Sequence, residues 1–261
     1  MYKLEWYKRI LLYTVIIIAA IIWISPITML FIRSLHNQGI QNYTTVLEYN
    51  MFYKFFFNSA IITFSVLILR LSMVAIAAFS LSKLNIKLKN VLYIVGIAGF
   101  MAPAFTLIVP IFLIVKRFEL LNTALGVILP LTAMGISFNL MLFKNYYDEL
   151  PQELMEAADI DGASDWIKFI RVVLPLARPI IVTSGIFTFI FSWNEYLLPI
   201  VIIRDYEKSP ITFAPEYFMS LYTSDYSKVY AAMFLISIPI IVIYLLGQKY
   251  FEKGLTAGTI K

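Results

Sequence analysis

Six long apolar runs, a sparse and lopsided set of charges, and one polar island between two of the runs predict an all-α, polytopic membrane protein. The 261 residues are 61% hydrophobic and only 14% charged, with a mean hydropathy of +0.81. A soluble domain of this size has no interior large enough to hide so much apolar surface. Most of the runs reach the roughly 20 residues that cross about 30 Å of hydrocarbon as a helix. Inside lipid the backbone must satisfy its own polar groups, so such runs span as helices. With no cysteine in the chain, disulfides, thiolate metal sites and cysteine nucleophiles are excluded. The net charge of +5 reads as loop charge around a membrane, and no nucleic-acid partner is expected.

The first span, at about 10–32, follows Lys3, Lys8 and Arg9. It exceeds the roughly 7–15 apolar residues of a signal peptide, and Trp23-Ile24-Ser25-Pro26 offers no small-residue cleavage site, so it is expected to be retained. The loop from Arg33 to Lys54 carries the sole histidine, His36. Lacking converging donors, it reads as a loop residue and not a metal ligand. Span two covers about 55–81, interrupted only by Arg70 near its middle. Span three, about 91–115, contains Gly96, Gly99, Pro103 and Pro110, and span four, about 120–143, contains Pro130. Span five, about 180–203, carries Glu195 and Pro199, and span six, about 229–248, carries Pro239. No repeat, low-complexity tract or soluble-domain boundary interrupts the chain, so residues 1–261 form one domain.

The polar island occupies residues 145–179. It gathers Asp148, Glu149, Glu153, Glu156, Asp159, Asp161 and Asp165 with Lys168, Arg171 and Arg178. Pro151 suits a first helical position, and Glu153 and Glu156 follow where a helix N-terminus favours negative charge. Gly162 is a natural left-handed stop, and Ser164-Asp165 can start a second helix. Leu174-Pro175 and Pro179 are expected to end it. The island therefore reads as a helical hairpin outside the membrane, shaped for docking.

An even number of spans puts both termini on one side. Thirteen Lys/Arg fall on that side and seven on the other, with Arg70 between them. The positive-inside bias places both termini and the island in the cytoplasm. The chain holds no Gly-x4-Gly-Lys-[Ser/Thr] phosphate cradle, and its spans hold no paired carboxylates, histidine cluster or nucleophile–base pair. No catalytic or metal-binding residue is expected. A pathway subunit driven by a partner fits these features better than an ion-coupled carrier, which usually shows more intramembrane ionisable groups.

The residues also carry a family resemblance. Glu156-Ala157-Ala158-x-x-Asp161-Gly162-Ala163-Ser164, followed by Phe169, Leu174-Pro175-Leu176 and Pro179, resembles the EAA loop of ABC importer permeases, and more narrowly of the carbohydrate, maltose-type family. Leu121-Asn122-Thr123 and Ser192-Trp193-Asn194-Glu195-Tyr196-Leu197-Leu198-Pro199 support the resemblance to that family, and the tail Gly254-Leu255-Thr256-Ala257-Gly258 is similar to the C-terminus of its second, G-type subunit. Met155 stands where many relatives have a second glutamate, and Met134-Gly135-Ile136-Ser137 lacks a proline that many show. The resemblance implies a type I importer permease fold in a bacterial cytoplasmic membrane. It implies four kinds of partner besides lipid: a dimer of ATP-binding subunits, a homologous second permease, an extracytoplasmic solute-binding protein and a sugar. ATP and Mg would be bound by the ATPase, with no cofactor in this chain. Glu156, Ala157, Ala158, Asp161, Gly162, Ala163, Ser164 and Pro175 would couple to the ATPase, and Gly254 to Gly258 would touch it.

Arg70 is expensive at mid-membrane, about 2.5–3.5 kcal/mol on insertion scales, and must face protein or water. It can pair with Glu195, bond backbone carbonyls freed by the prolines of span three, or line the solute path. Trp193, Asn194 and Tyr196 can contact a sugar or belong to the interfacial aromatic belt. The alternatives to sugar import are the same architecture for glycerol phosphate or a polyamine, an ion-coupled carrier, and a membrane scaffold or intramembrane enzyme.

Overall fold

The computed structural model describes residues 6–222 and 226–256, with side chains described as far as residue 249. Every regular element among the described residues is helical. Three helices, α1 (Trp6–Ser34), α3 (Asn50–Lys83) and α14 (Ser227–Thr256), are long and apolar enough to cross a membrane, and three bent helix pairs pass the same test jointly. Counting each bent pair as one span gives up to six among the described residues, and the third pair joins Asp165–Leu176 of the polar island to Arg178–Trp193, where the apolar run alone predicts a span over 180–203.

The chain divides into two compact units, Met1–Phe52 with Ala214–Ile238, and Tyr53–Phe213 with Pro239–Lys261. The first contains α1, α2 (Gln41–Glu48) and α13 (Ala214–Leu221). The apolar surface of α1 is almost wholly uncovered, Trp23 being 82% exposed, as lipid contact requires. Its C-terminal carbonyls find a donor in buried Asn42, whose amide bonds the carbonyls of Ser34 at 2.9 Å and His36 at 2.8 Å. His36 itself is exposed in this turn. Tyr49, Phe218 and Tyr222 cluster edge-to-face and stacked, and the Lys228 ammonium lies 4.7 Å from the Tyr222 ring.

The second unit holds most of α3, the part of α14 from Pro239 onward and the other elements. Span three is broken where one continuous helix was expected. Helix α4 (Lys89–Ala98) and a 3-10 turn over Gly99–Met101 meet α5 (Ala104–Arg117) at a bend of 101°. Pro103 causes the break, holding Ala102 extended at φ −79°, ψ 121°. The elbow also brings α4 close to α7 (Ile136–Asp148). Ser137 Oγ donates to the Gly96 carbonyl at 2.8 Å, and a β-carbon at Gly96 would stand 2.7 Å from the Leu140 side chain. Span four is α6 (Ala124–Met134) and α7, bent by 45° at Gly135 and running past the expected end to Asp148. Span five is α11 (Arg178–Trp193), after which residues 194–196 interrupt the helix before α12 (Leu197–Ile202).

Asn122 takes a left-handed conformation, φ 58°, which asparagine tolerates better than most residues. Its backbone N–H donates to the Ile202 carbonyl at 2.9 Å, and its side-chain oxygen accepts from the N–H groups of Arg204 and Asp205. Thr123 then caps α6, accepting from Gly126 N–H at 3.2 Å. The Leu-Asn-Thr stretch is therefore a bracket between the start of span four and the end of span five. Lys54 and Glu207 pair at 2.7 Å at the same end of this unit.

The polar island folds as α8 (Glu153–Ile160), a turn, and a second helical run made of α9 (Asp165–Ile167), a π-helical stretch Lys168–Val173 and α10 (Leu174–Leu176). Helix α8 starts at Glu153, so Pro151 lies in the turn before it, its carbonyl accepting from Leu154 N–H. Its other end closes in a Schellman motif. Ala163 N–H bonds the Ala158 carbonyl at 2.9 Å and Gly162 N–H bonds the Asp159 carbonyl at 3.0 Å, with Gly162 at φ 73°. Ser164 takes the extended backbone of an N-cap without a capping side-chain bond. Pro175 does not end the second helix as expected. The wider π turn before it absorbs a residue that lacks an N–H, and the chain turns instead at Ala177, by 75°.

The inner face of the hairpin is part of the core. Met155, Phe169, Val173 and Ala177 are buried with Ala78 and Phe79 of α3 and with Phe143 and Tyr147 of α7. The Phe79 and Phe169 rings are 5.2 Å apart. Truncation by Phe169→Ala is expected to cost about 3 kcal/mol. It should lower the melting temperature and speed amide exchange in residues 153–176, while the protein still inserts into membranes.

Candidate functional site

Two constellations in the second unit are candidates for function, the outer face of the hairpin and the surroundings of Arg70. On the hairpin, Glu156, Ala157, Asp161, Gly162 and Ser164 are exposed, and Ala163 is half-buried. Ile160 is 88% exposed and Trp166 59% exposed beside them. The face is thus apolar at its centre and acidic at its rim, a composition that suits burial against another protein. Ala158 departs from the expectation. It is 8% exposed and turned into the chain's own core, so of the two alanines only Ala157 is offered outward. The core packed under α8, where Met155 is also buried, decides which side of the helix faces out. Met155 is buried at 4%, which explains an apolar residue there.

Lys168 fastens the two limbs of the hairpin. Its ammonium contacts Asp159 at 2.6 Å and Asp165 at 2.8 Å. Hydrogen bonds to Asp159 and then Asp165 raise its pKa above the ordinary lysine value of 10.5. A raised lysine pKa stabilises the fold below about pH 10.5, and that contribution is lost as pH climbs through the higher folded value.

Arg70 is 2% exposed. Its Nε donates to the Thr132 carbonyl at 3.1 Å and one Nη donates to the Leu131 carbonyl. Both belong to the last turn of α6, whose carbonyls are left without helical donors where the chain breaks at Gly135. Arg70 therefore bonds backbone carbonyls, as one expectation held. They are freed by the break in span four, however, and not by the prolines of span three. The guanidinium also lies over the Phe191 ring, 5.4 Å from its centroid. Gly135 makes room for it, since a β-carbon there would overlap the guanidinium carbon.

The Arg70–Glu195 pair is not formed. Glu195 Oε1 instead accepts from Leu198 N–H at 3.0 Å, capping the start of α12, and its carbonyl accepts from Thr212. Trp193 is 2% exposed, stacked on Phe189 at 5.4 Å and edge-on to Phe56 at 5.5 Å. Its ring is a packing element in this chain. Asn194 is exposed, its amide bonding the Ile190 carbonyl, and Tyr196 packs against Phe213. Gly254, Leu255 and Thr256 close α14, whereas Ala257, Gly258, Lys3 and Lys261 lie outside the described residues.

Sequence reasoning did not find the remainder of the Arg70 site. A cavity of about 220 Å³ is walled by Phe100, Phe138, Phe187 and Phe191, with Asn139, Thr188 and Arg70 as its polar groups. Asn139 Nδ2 donates to Thr188 Oγ1 at 2.8 Å. These residues come from four separate spans and share no spacing. The one local signal is Gly135, a glycine inside an apolar run.

Residues 72–257 match the family of binding-protein-dependent transport system inner membrane components. The chain is 34% identical to the diacetylchitobiose uptake system permease protein NgcG of Streptomyces coelicolor, over 80% of this chain and 70% of that one. It is 27% identical to the arabinooligosaccharides transport system permease protein AraQ of Bacillus subtilis, over 85% and 79%. A solved chain of a bacterial ABC transporter involved in the import of the acidic polysaccharide alginate superposes with a TM-score of 0.81 at 25% identity, covering 96% of this chain and 99% of that one.

Gly135→Val should evict the guanidinium from its carbonyls and destabilise the protein by at least about 1–3 kcal/mol. In an Arg70→Leu background the same change should cost much less. Melting temperatures of the two single variants and the double variant measure that coupling.

Proposed function

Since the chain belongs to the family of binding-protein-dependent transport system inner membrane components, we propose that it is the permease subunit of an ABC importer that carries a sugar or oligosaccharide inward. Relatives named for chitobiose and arabinooligosaccharide uptake support the substrate class. The work is supplied by a dimer of separate ATP-binding subunits, which hold ATP and Mg. A homologous second permease completes the pathway, and an extracytoplasmic solute-binding protein delivers the sugar. Both termini and the hairpin lie in the cytoplasm.

One observation carries the mechanism: the hairpin has a bare outer face and an inner face welded to the spans. Glu156, Ala157, Asp161 and Gly162 are outward and unencumbered by bulk, so the α8 end can enter a cleft on an ATPase. Glu156 can meet a cation there. On the inner side, Phe169 and Val173 share a buried cluster with α3, α7 and Ile180 at the start of α11. Displacing the hairpin must then displace the ends of three spans together. Closure of the ATPase pair on ATP would shift the population from inward- to outward-facing permease by this lever. Ala163, Ser164 and Pro175 shape the lever, and the 254–258 tail is a second contact with the ATPase.

Gly162→Val forces a β-branched residue to φ 73°, and Glu156→Lys reverses the charge of the docking face. Each should abolish ATP-dependent uptake while leaving the amount of inserted protein near wild type. The measurement is labelled oligosaccharide uptake into vesicles beside an immunoblot of the membrane fraction. Unchanged uptake in both variants would refute the lever.

A further inference from the structure

Arg70 carries a charge that the described part of the chain does not balance. Its two hydrogen bonds go to neutral carbonyls, and the ion pairs among the described residues lie elsewhere. Glu195, between α11 and α12, is spent on the α12 cap. The negative end of the α6 dipole offsets roughly half a charge at most. A guanidinium has five N–H donors, and two of them are used. A buried cation with spare donors is costly unless an anion completes it, and this one borders a cavity.

That cavity has the mixed lining a sugar ring needs. Aromatic walls suit the C–H faces of a pyranose. Across from Arg70, the bond from Asn139 to Thr188 leaves the Asn139 amide oxygen to accept and the Thr188 hydroxyl to donate. Its volume of about 220 Å³ is below the roughly 300–1,000 Å³ of pockets that enclose a whole drug-sized ligand, and so matches one unit of a chain. Phe100, Met134 and Phe191 also line a larger, nearly apolar groove of about 760 Å³ in the elbow of span three.

We propose that the Arg70 cavity is a recognition subsite for the carboxylate of an acidic sugar, so that the transported solute contains hexuronate units. The inference rests on the reading of the chain as a sugar permease and narrows its substrate. The planar guanidinium presents two parallel N–H groups to a carboxylate, while the sugar ring lies against the phenylalanines. In a site this dry the pair discriminates strongly against the uncharged analogue, whose entry leaves the cation unmatched. A counter-charge from a neighbouring subunit is the competing source.

The full-length chain, purified in lipid nanodiscs with the subunits that accompany it, is tested by equilibrium dialysis against labelled digalacturonate, its methyl ester and digalactose. Digalacturonate should bind about ten- to a hundredfold more tightly than either neutral compound, as loss of one charge-assisted contact predicts. Arg70→Gln should lower digalacturonate affinity to that of the neutral compounds, so that acid and ester bind alike. The comparison of acid with ester needs no variant, so it decides even if Arg70→Gln fails to fold. Equal binding of acid and ester, or no binding of the acid, overturns the proposal. So does unchanged acid binding in an Arg70→Gln protein that loses its second permease, which would assign the counter-charge to that partner. ATP-dependent uptake of neutral oligosaccharides with no charge preference would leave the importer reading standing, whereas absence of ATP-dependent uptake of any sugar would remove that reading itself.

Discussion

A broken helix inside a membrane leaves backbone carbonyls and N–H groups with no water to bond, and the second unit is built around meeting that demand. Spans three, four and five are all interrupted, and fixed groups serve the interruptions. Arg70 takes two carbonyls at the end of α6. Glu195 takes an N–H at the start of α12. Asn122 binds the end of α12 and the segment leaving it through both its backbone and its side chain. Polar residues that look like pathway groups in a list of charges are thus first of all the joints of the scaffold. Arg70 is the charged joint with donors to spare, two of its five N–H groups being used.

The hairpin has two unlike faces, one bare and one buried against the helices. Its outer face presents small and acidic residues around exposed Ile160, while its inner face shares aromatic packing with the ends of α3 and α7. Rigidity comes from three sources: the Schellman turn at Gly162, the double ion pair of Lys168, and the phenylalanine contact to α3. An isolated surface salt bridge contributes little, so the buried aromatic contact does most to hold the hairpin to α3. The π-helical stretch places Pro175 within a continuous helix, and the sharp turn moves to Ala177.

Much of this was legible in the sequence. Apolar run length set the number of spans, because hydrocarbon thickness admits few alternatives. The polar island was legible because seven carboxylates have no place in lipid, and Gly162 because a left-handed helix stop favours the residue without a β-carbon. The break in span three was half-legible. Pro103 and the glycines around it were visible, yet proline inside a membrane helix is often tolerated, and only the packing of α4 on α7 shows that here the chain turns through 101°. The orientation of α8 was not legible, since Ala157 and Ala158 are the same residue type and only the neighbouring core decides which is buried.

What the sequence determined by itself is what depends on local chemistry: helical spans, their number, a hydrophilic hairpin with its glycine turn, and a family resemblance carried by that hairpin. What only the tertiary structure decided is where the scarce polar groups find partners. Arg70, Gly135, Asn139, Thr188 and Phe191 are separated by up to 121 positions along the chain, 70 to 191, yet they line one cavity. No periodicity links them. In a low-dielectric interior a charge is settled by whatever donors and acceptors folding brings within about 3 Å, and that is a property of the packed helices, not of any stretch of sequence.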